Sequence, residues 1–198
     1  MNNILANHVS FLDELYSLVN DTENIAISDN DVDLVKNNVN FFTKSFTITL
    51  CAYLESFIKE ISMFYIEYCN QKLNSINISH NIVKWSVNRK KDLVEINDNE
   101  LKFESLKINI RKNELDEFVS GNPYRTEKFF KKLGIELNKE LDYNNIKEKI
   151  ITIVDKRNKI IHHNDNASDL SFSDIKKNIE IIKGYLAILN EKVISKCP

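Results

Sequence analysis

Arg157, Asn158 and His162 are the residues whose types and spacing suit chemistry on a phosphate. At about 100° per residue, Arg157 falls within a helical stripe formed by Ile150, Ile153, Val154, Ile160 and Ile161. A guanidinium does not shed its proton in a protein. On an apolar face it must therefore meet a carboxylate, a set of carbonyls, a second subunit or an anionic ligand. A buried salt bridge and a phosphate-binding role are both open on this observation. Asn158 and His162 stand at i and i+4 on a flanking face, where the amide can orient the imidazole, and His163 points about 100° away from His162. An imidazole titrating near neutrality can take or give a proton. Cleavage of a phosphodiester by its own 2′-hydroxyl requires this, with Arg157 stabilising charge on the phosphate.

These groups need a rigid frame, and the pattern of the chain predicts an all-helical one. Leu5, Val9, Leu12, Leu15, Tyr16 and Val19 recur at three- and four-residue steps, which predicts a helix over about 4–20, ended by the polar run Asn20 to Asn24. Ser28, Asp29 and Asp31 offer capping groups to a long segment over about 31–73 that lacks Gly and Pro. Its apolar residues on nearly every side predict burial by several neighbours, and Thr47, Ile48 and Thr49 suggest a bend. Apolar clusters at 83–87, 93–96, 101–110 and 115–119 suggest shorter helical pieces. Gly121-Asn122-Pro123 is the clearest internal break, and Tyr124 to Leu133 reads as a short helix stopped by Gly134. A helix opening at Asp142 or Asn144 carries the Arg157 motif to the polar stop Asn164-Asp165-Asn166. Ser171 with Asp174 resembles a capping box for a last helix whose core positions are Ile175, Ile179, Ile182, Leu186, Leu189 and Val193.

Composition narrows the class further. The 198 residues suffice for one domain with its own core, and a single unit over 1–198 is expected. Three Gly and two Pro are few for the turns of a sheet protein. A formal charge of -2 argues against a protein that coats nucleic acid through bulk electrostatics, so contact with a polyanion must be local. Cys51, Cys69 and Cys197 have no zinc-type spacing and are odd in number, so neither a disulfide framework nor a metal is expected. Without a basic leader or a spanning apolar run, a cytoplasmic protein away from the membrane is the expectation.

Arg157-Asn158-Lys159-Ile160-Ile161-His162 resembles the signature of the HEPN superfamily, Arg-x4-6-His, commonly with Asn after the Arg. Ala52-Tyr53-Leu54-Glu55-Ser56-Phe57 and the run from Asn122 to Val193 strengthen the likeness. The order of segments is most similar to the RiboL-PSP-associated HEPN nucleases of bacterial toxin and defence loci. The resemblance implies a bundle of four to six main helices forming a twofold dimer, with two motifs facing one another across a cleft. It also implies a metal-independent endoribonuclease without a cofactor, in which Arg157, His162 and Asn158 serve attack by the ribose 2′-hydroxyl. An RNA substrate and a restraining antitoxin or neighbouring defence protein follow as partners. The alternative is a non-catalytic dimerisation, nucleotide-binding or protein-interaction module of the same fold. Family members usually carry a small residue after the histidine, whereas this chain has His163, a second candidate imidazole.

Glu55 matches a polar or acidic position of the family and suits the charge of Arg157; its plainer reading is one more acid on a mixed face. Lys156 and Lys159 beside the motif, and Arg125 and Lys128 after the Gly-Asn-Pro break, are candidate RNA-binding cations. A solvated face explains such a cluster equally simply. Trp85 with Lys84, Arg89, Lys90 and Lys91 has the composition of an aromatic platform in a basic patch. His8 and His80 show no partner pattern and are expected on surfaces or in satisfied packing.

Overall fold

The computed structural model describes residues 3–28, 33–88, 102–139 and 141–198. Among these every regular element is a helix: α1 (Ile4–Ile27), α2 (Asp33–Lys36), α3 (Val39–Ile76), α4 (His80–Asn88), a 3-10 helix (Lys112–Glu117), α5 (Pro123–Lys132), α6 (Leu141–His163) and α7 (Phe172–Ile194). The protein is an all-α bundle, as the residue pattern and the resemblance led one to expect.

Helices α3 and α7 form the central pair; α1 lies against both on one side and α6 against both on the other. Ile175, Ile179, Ile182, Leu186, Leu189 and Val193 of α7 are fully buried, as their spacing requires. They meet Leu50, Leu54, Phe57, Ile58 and Ile61 of α3, together with Leu12 and Val19 of α1 and Ile150 and Ile153 of α6, in one continuous core. Each such side chain contributes about 1.5–3 kcal/mol on burial. The broad burial of α3 reflects this three-sided contact.

Local chemistry moves several boundaries. Helix α1 does not stop at Asn20–Asn24 but continues to Ile27. Thr22 is buried and donates its hydroxyl to the Leu18 carbonyl at 2.7 Å, while Glu23 and Asn20 receive Lys176 of α7. The polar run is therefore an outer turn engaged with a neighbour. The long segment expected over 31–73 divides into α2 and α3, because the Asn38 side chain donates to the Leu34 carbonyl at 2.8 Å and closes the first piece. Helix α3 then runs through Thr47, whose hydroxyl back-bonds to the Thr43 carbonyl. Ser28 caps the end of α1 by donating to the Ile25 carbonyl, and Asp29 and Asp31 lie outside the described residues.

Residues 102–111 are not helical as their apolar content suggested. They run beside the α3–α4 junction, held by Leu106 N–H to the Ile78 carbonyl at 2.7 Å and His80 N–H to the Glu104 carbonyl at 3.2 Å. The apolar cluster 93–96 lies outside the described residues. The capping box at Ser171 and Asp174 forms as expected and opens α7. Gly134, at φ +78°, takes the left-handed turn that ends α5, a conformation glycine adopts without steric cost.

Candidate active site

Helices α3 and α6 cross where Glu55 faces Arg157. The nearest atoms, Glu55 Oε2 and Arg157 Nη2, are 4.0 Å apart, and the two side chains retain 35% and 26% of their exposure. That separation lies at the outer limit of an ion pair and is too long for the bidentate contact an arginine and a carboxylate form at about 2.7–2.9 Å. Arg157 Nη1 donates to Asn158 Oδ1 at 3.1 Å. Its Nε–H is buried without a hydrogen-bond partner among the described residues. The guanidinium therefore has donor capacity to spare.

The turn before α5 fixes the other side of Glu55. Gly121 N–H donates to Glu55 Oε1 at 3.2 Å. A Cβ at Gly121 would stand 3.2 Å from Val154 Cγ2 and 3.3 Å from Leu54 Cδ2, so the glycine lets this turn approach α3 and α6 closely. Asn122 caps α5 by accepting from Tyr124 N–H, and Thr126 Oγ1 donates to the Ser120 carbonyl at 2.8 Å. Tyr143 of α6 donates to the Pro123 carbonyl at 3.1 Å and lies 3.3 Å from the Tyr185 hydroxyl of α7. Both phenols are buried, which pushes their pKa values up and keeps them neutral. The sequence break at Gly121-Asn122-Pro123 is thus a strut of the site, a role its composition did not disclose.

Cys51, one turn before Glu55, completes the inner wall. Burial pushes its thiol up to about 12; Arg157 works against that shift and Glu55 adds to it. A thiol so poised is neutral at pH 7 and serves as packing.

Arg157 borders the buried residues Ile150, Ile153, Val154 and Ile160, but Ile161 is 43% exposed and does not belong to that stripe. His162 and His163 form the last turn of α6 and are both exposed. Asn158 bonds to Arg157 and makes no described bond to His162, so the expected orientation of imidazole by amide is absent among the described residues. Asn164 at φ 50° ends the helix, and Asp165 N–H reaches back to the Lys159 carbonyl.

Lys156, read from sequence as an RNA-binding cation, is instead held by two carboxylates: Asp165 Oδ2 lies 2.9 Å away and Asp169 binds the same ammonium. Burial alone would lower its pKa, but the two carboxylates outweigh that and raise it. It straps the α6–α7 loop to α6. Lys159, Arg125 and Lys128 are exposed, and Arg125 stands in the first turn of α5, four residues beyond Gly121. Two of the four histidines lie away from the motif. His8 is buried, with Nε2 3.2 Å from Glu60 and Nδ1 unpartnered among the described residues; His80 opens α4. Trp85 is 56% exposed on α4, whereas Arg89, Lys90 and Lys91 lie outside the described residues. Among the described residues, no group of three or more His, Cys, Asp or Glu side chains is placed to hold a metal ion. No described helix is long and apolar enough to cross a membrane.

The family model of RiboL-PSP-HEPN matches residues 12–195. The chain belongs to that family, which makes it a nuclease-like or nucleotide-related HEPN module. The match takes in α1 from Leu12 onward, the whole of α3, α6 and α7, and the turn that carries Gly121. No curated protein and no solved structure matches the chain.

Proposed function

We propose that this chain is a metal-independent endoribonuclease. The ribose 2′-oxygen attacks the adjacent phosphorus, the bond from phosphorus to the 5′-oxygen breaks, and a 2′,3′-cyclic phosphate remains on one fragment. One imidazole takes the 2′-hydroxyl proton and another delivers a proton to the departing 5′-oxygen. Arg157 stabilises the negative charge that builds on the phosphate. The observation that carries this reading is the state of Arg157: half-buried, loosely paired with Glu55, with an unpartnered Nε–H, on the helix that ends in the exposed His162.

His162 follows Arg157 by five positions, which sets them about 140° apart around α6. Such a splay supports assembly of the reacting set from two copies of the chain. A twofold dimer supplies two guanidiniums and two imidazoles to one cleft, with His163 as the neighbouring imidazole. DNA lacks the attacking hydroxyl and survives. The cellular role in this reading is a cytoplasmic toxin or defence effector, restrained by an antitoxin or a neighbouring protein.

The contact between Glu55 and Arg157 favours one competitor, a non-catalytic module in which the pair only joins α3 to α6. Incubation of the purified chain with end-labelled RNA in EDTA separates the two. The nuclease yields fragments with cyclic phosphate ends and leaves DNA of the same sequence whole. Intact RNA at high concentration of a folded dimer sinks the proposal.

A further inference from the structure

The last three turns of α3, the start of α4 and the extended segment 102–109 enclose a cleft of about 440 Å³, lined among others by Asn74, His80, Lys102, Lys107 and Asn109. A second cleft of about 430 Å³ adjoins it at Glu104 and includes Phe103. Phe103 is 95% exposed, and its segment is pinned in place. Asn81 Oδ1 accepts from Lys102 N–H at 2.9 Å, and the Asn70 amide pairs with both the N–H and the carbonyl of Ile108 at 2.7 and 2.9 Å. The Ser105 hydroxyl bonds to Asn77. The ammonium group of neither lysine makes an ion pair or hydrogen bond among the described residues.

We infer that this end of the molecule is a binding site for single-stranded RNA, distinct from the Arg157 motif. It rests on the RNA reading above but on separate residues. An aromatic ring held out in water offers a face on which any base can stack. Asn74 and Asn109 present amides that can bond to base edges, and the two lysines, against the single carboxylate of Glu104, leave positive charge for phosphate. The cleft volume lies in the range that accepts a small ligand such as one nucleotide. A protein partner with an apolar surface would cover Phe103 but strand the lysines and amides without partners, at a cost of about 1–3 kcal/mol for each buried polar group. RNA satisfies both. Asn70 lies 15 residues beyond Glu55 on α3, about 22 Å along the helix, so a strand seated here can extend toward the motif.

Anisotropy of a fluorescent 2′-O-methyl RNA 12-mer, which has no free 2′-hydroxyl to attack, measures binding independently of cleavage. We expect Phe103→Ala to weaken it about tenfold, as loss of one stacked base does. Lys102→Ser with Lys107→Ser should weaken it and reduce the slope of log affinity against log salt by about 0.7 for each lost phosphate contact. Cleavage of a dinucleotide should be unchanged in all these variants. Loss of binding in Phe103→Ala by a protein that cuts nothing would refute the nuclease and sustain this site. Wild-type affinity in every variant, absence of binding by the wild type, or a protein ligand displaced by Phe103→Ala while RNA affinity holds, would each overturn it.

Discussion

Glu55 on α3 and Arg157 on α6 meet at 4.0 Å, and the same carboxylate accepts the Gly121 N–H at 3.2 Å. One oxygen is thus devoted to holding a turn and the other stands off from the guanidinium. Such an arrangement keeps the cation oriented while leaving its remaining donors to an anion.

Changing Glu55 divides these two tasks. Glu55→Gln keeps an oxygen for Gly121 and removes the charge, so thermal stability should stay near wild type while KM for RNA falls. Glu55→Ala leaves the buried Gly121 N–H without its acceptor and should cost about 1–3 kcal/mol. Chemical denaturation with steady-state kinetics checks both; equal stability of the two variants would dissociate Glu55 from the turn.

Gly121→Ala introduces a Cβ 3.2 Å from Val154 and 3.3 Å from Leu54. Both neighbours are buried, so crowding should cost about 1–3 kcal/mol. Because the turn would back away from Glu55, cleavage should decline along with the melting temperature. A Tm within a degree of wild type would show that the close approach is not required.

His162→Ala should abolish most cleavage, by a factor of about 100 to 10,000, since a positioned acid or base contributes on that scale. The side chain is exposed, so helicity and assembly should persist, as circular dichroism and sedimentation would report. His163→Ala should lose much less. Equal losses would transfer the role or divide it between the two rings.

The strap formed by Lys156 with Asp165 and Asp169 has a defined pH window. Lys156, together with the Ala167 N–H at Asp165, holds these two carboxyls below their ordinary range. Their stabilisation is present at neutral pH and is lost as pH falls through the folded-state values. The Lys156 ammonium is held above its ordinary range, so its contribution is lost only as pH rises through that alkaline value. Hydrogen exchange at 164–170 should be slow at neutrality and accelerate in acid beyond the intrinsic rate. Lys156→Ala should show fast exchange at neutral pH as well.

Thiol titration tests the inner wall. With its thiol pushed up to about 12 and only 1% of its surface exposed, Cys51 should resist alkylation in the native protein and react only after unfolding. Cys69 and Cys197 are partly exposed and should label first, Cys197 slowly because burial also raises its thiol. Mass spectrometry of the labelled peptides distinguishes the three.

The long helices were legible because their periodicity and their packing agree. The stepped isoleucines and leucines of α7 and the Ser171 cap left little freedom, and the Arg157 motif stood out as a cation among apolar residues. Other features depended on partners distant in sequence. Nothing near Asn20–Asn24 announces Lys176 of α7, whose contact carries α1 through a polar stretch. Lys156 reads as a free cation until Asp165 and Asp169 fold back upon it. Residues 101–110 have the apolar content of a helix, yet those described are drawn out by backbone and asparagine bonds to the α3–α4 junction. The link from Glu55 to Gly121 joins positions 66 residues apart, beyond the reach of local pattern.

The buried positions of α3 end at Ile66, although the helix continues to Ile76. Its final ten residues therefore form an outrigger whose side chains can be exchanged without emptying the interior. Evolution is free to remodel that arm and whatever it grips, while the crossing of α3 with α6, hemmed by core on several sides, must stay as it is.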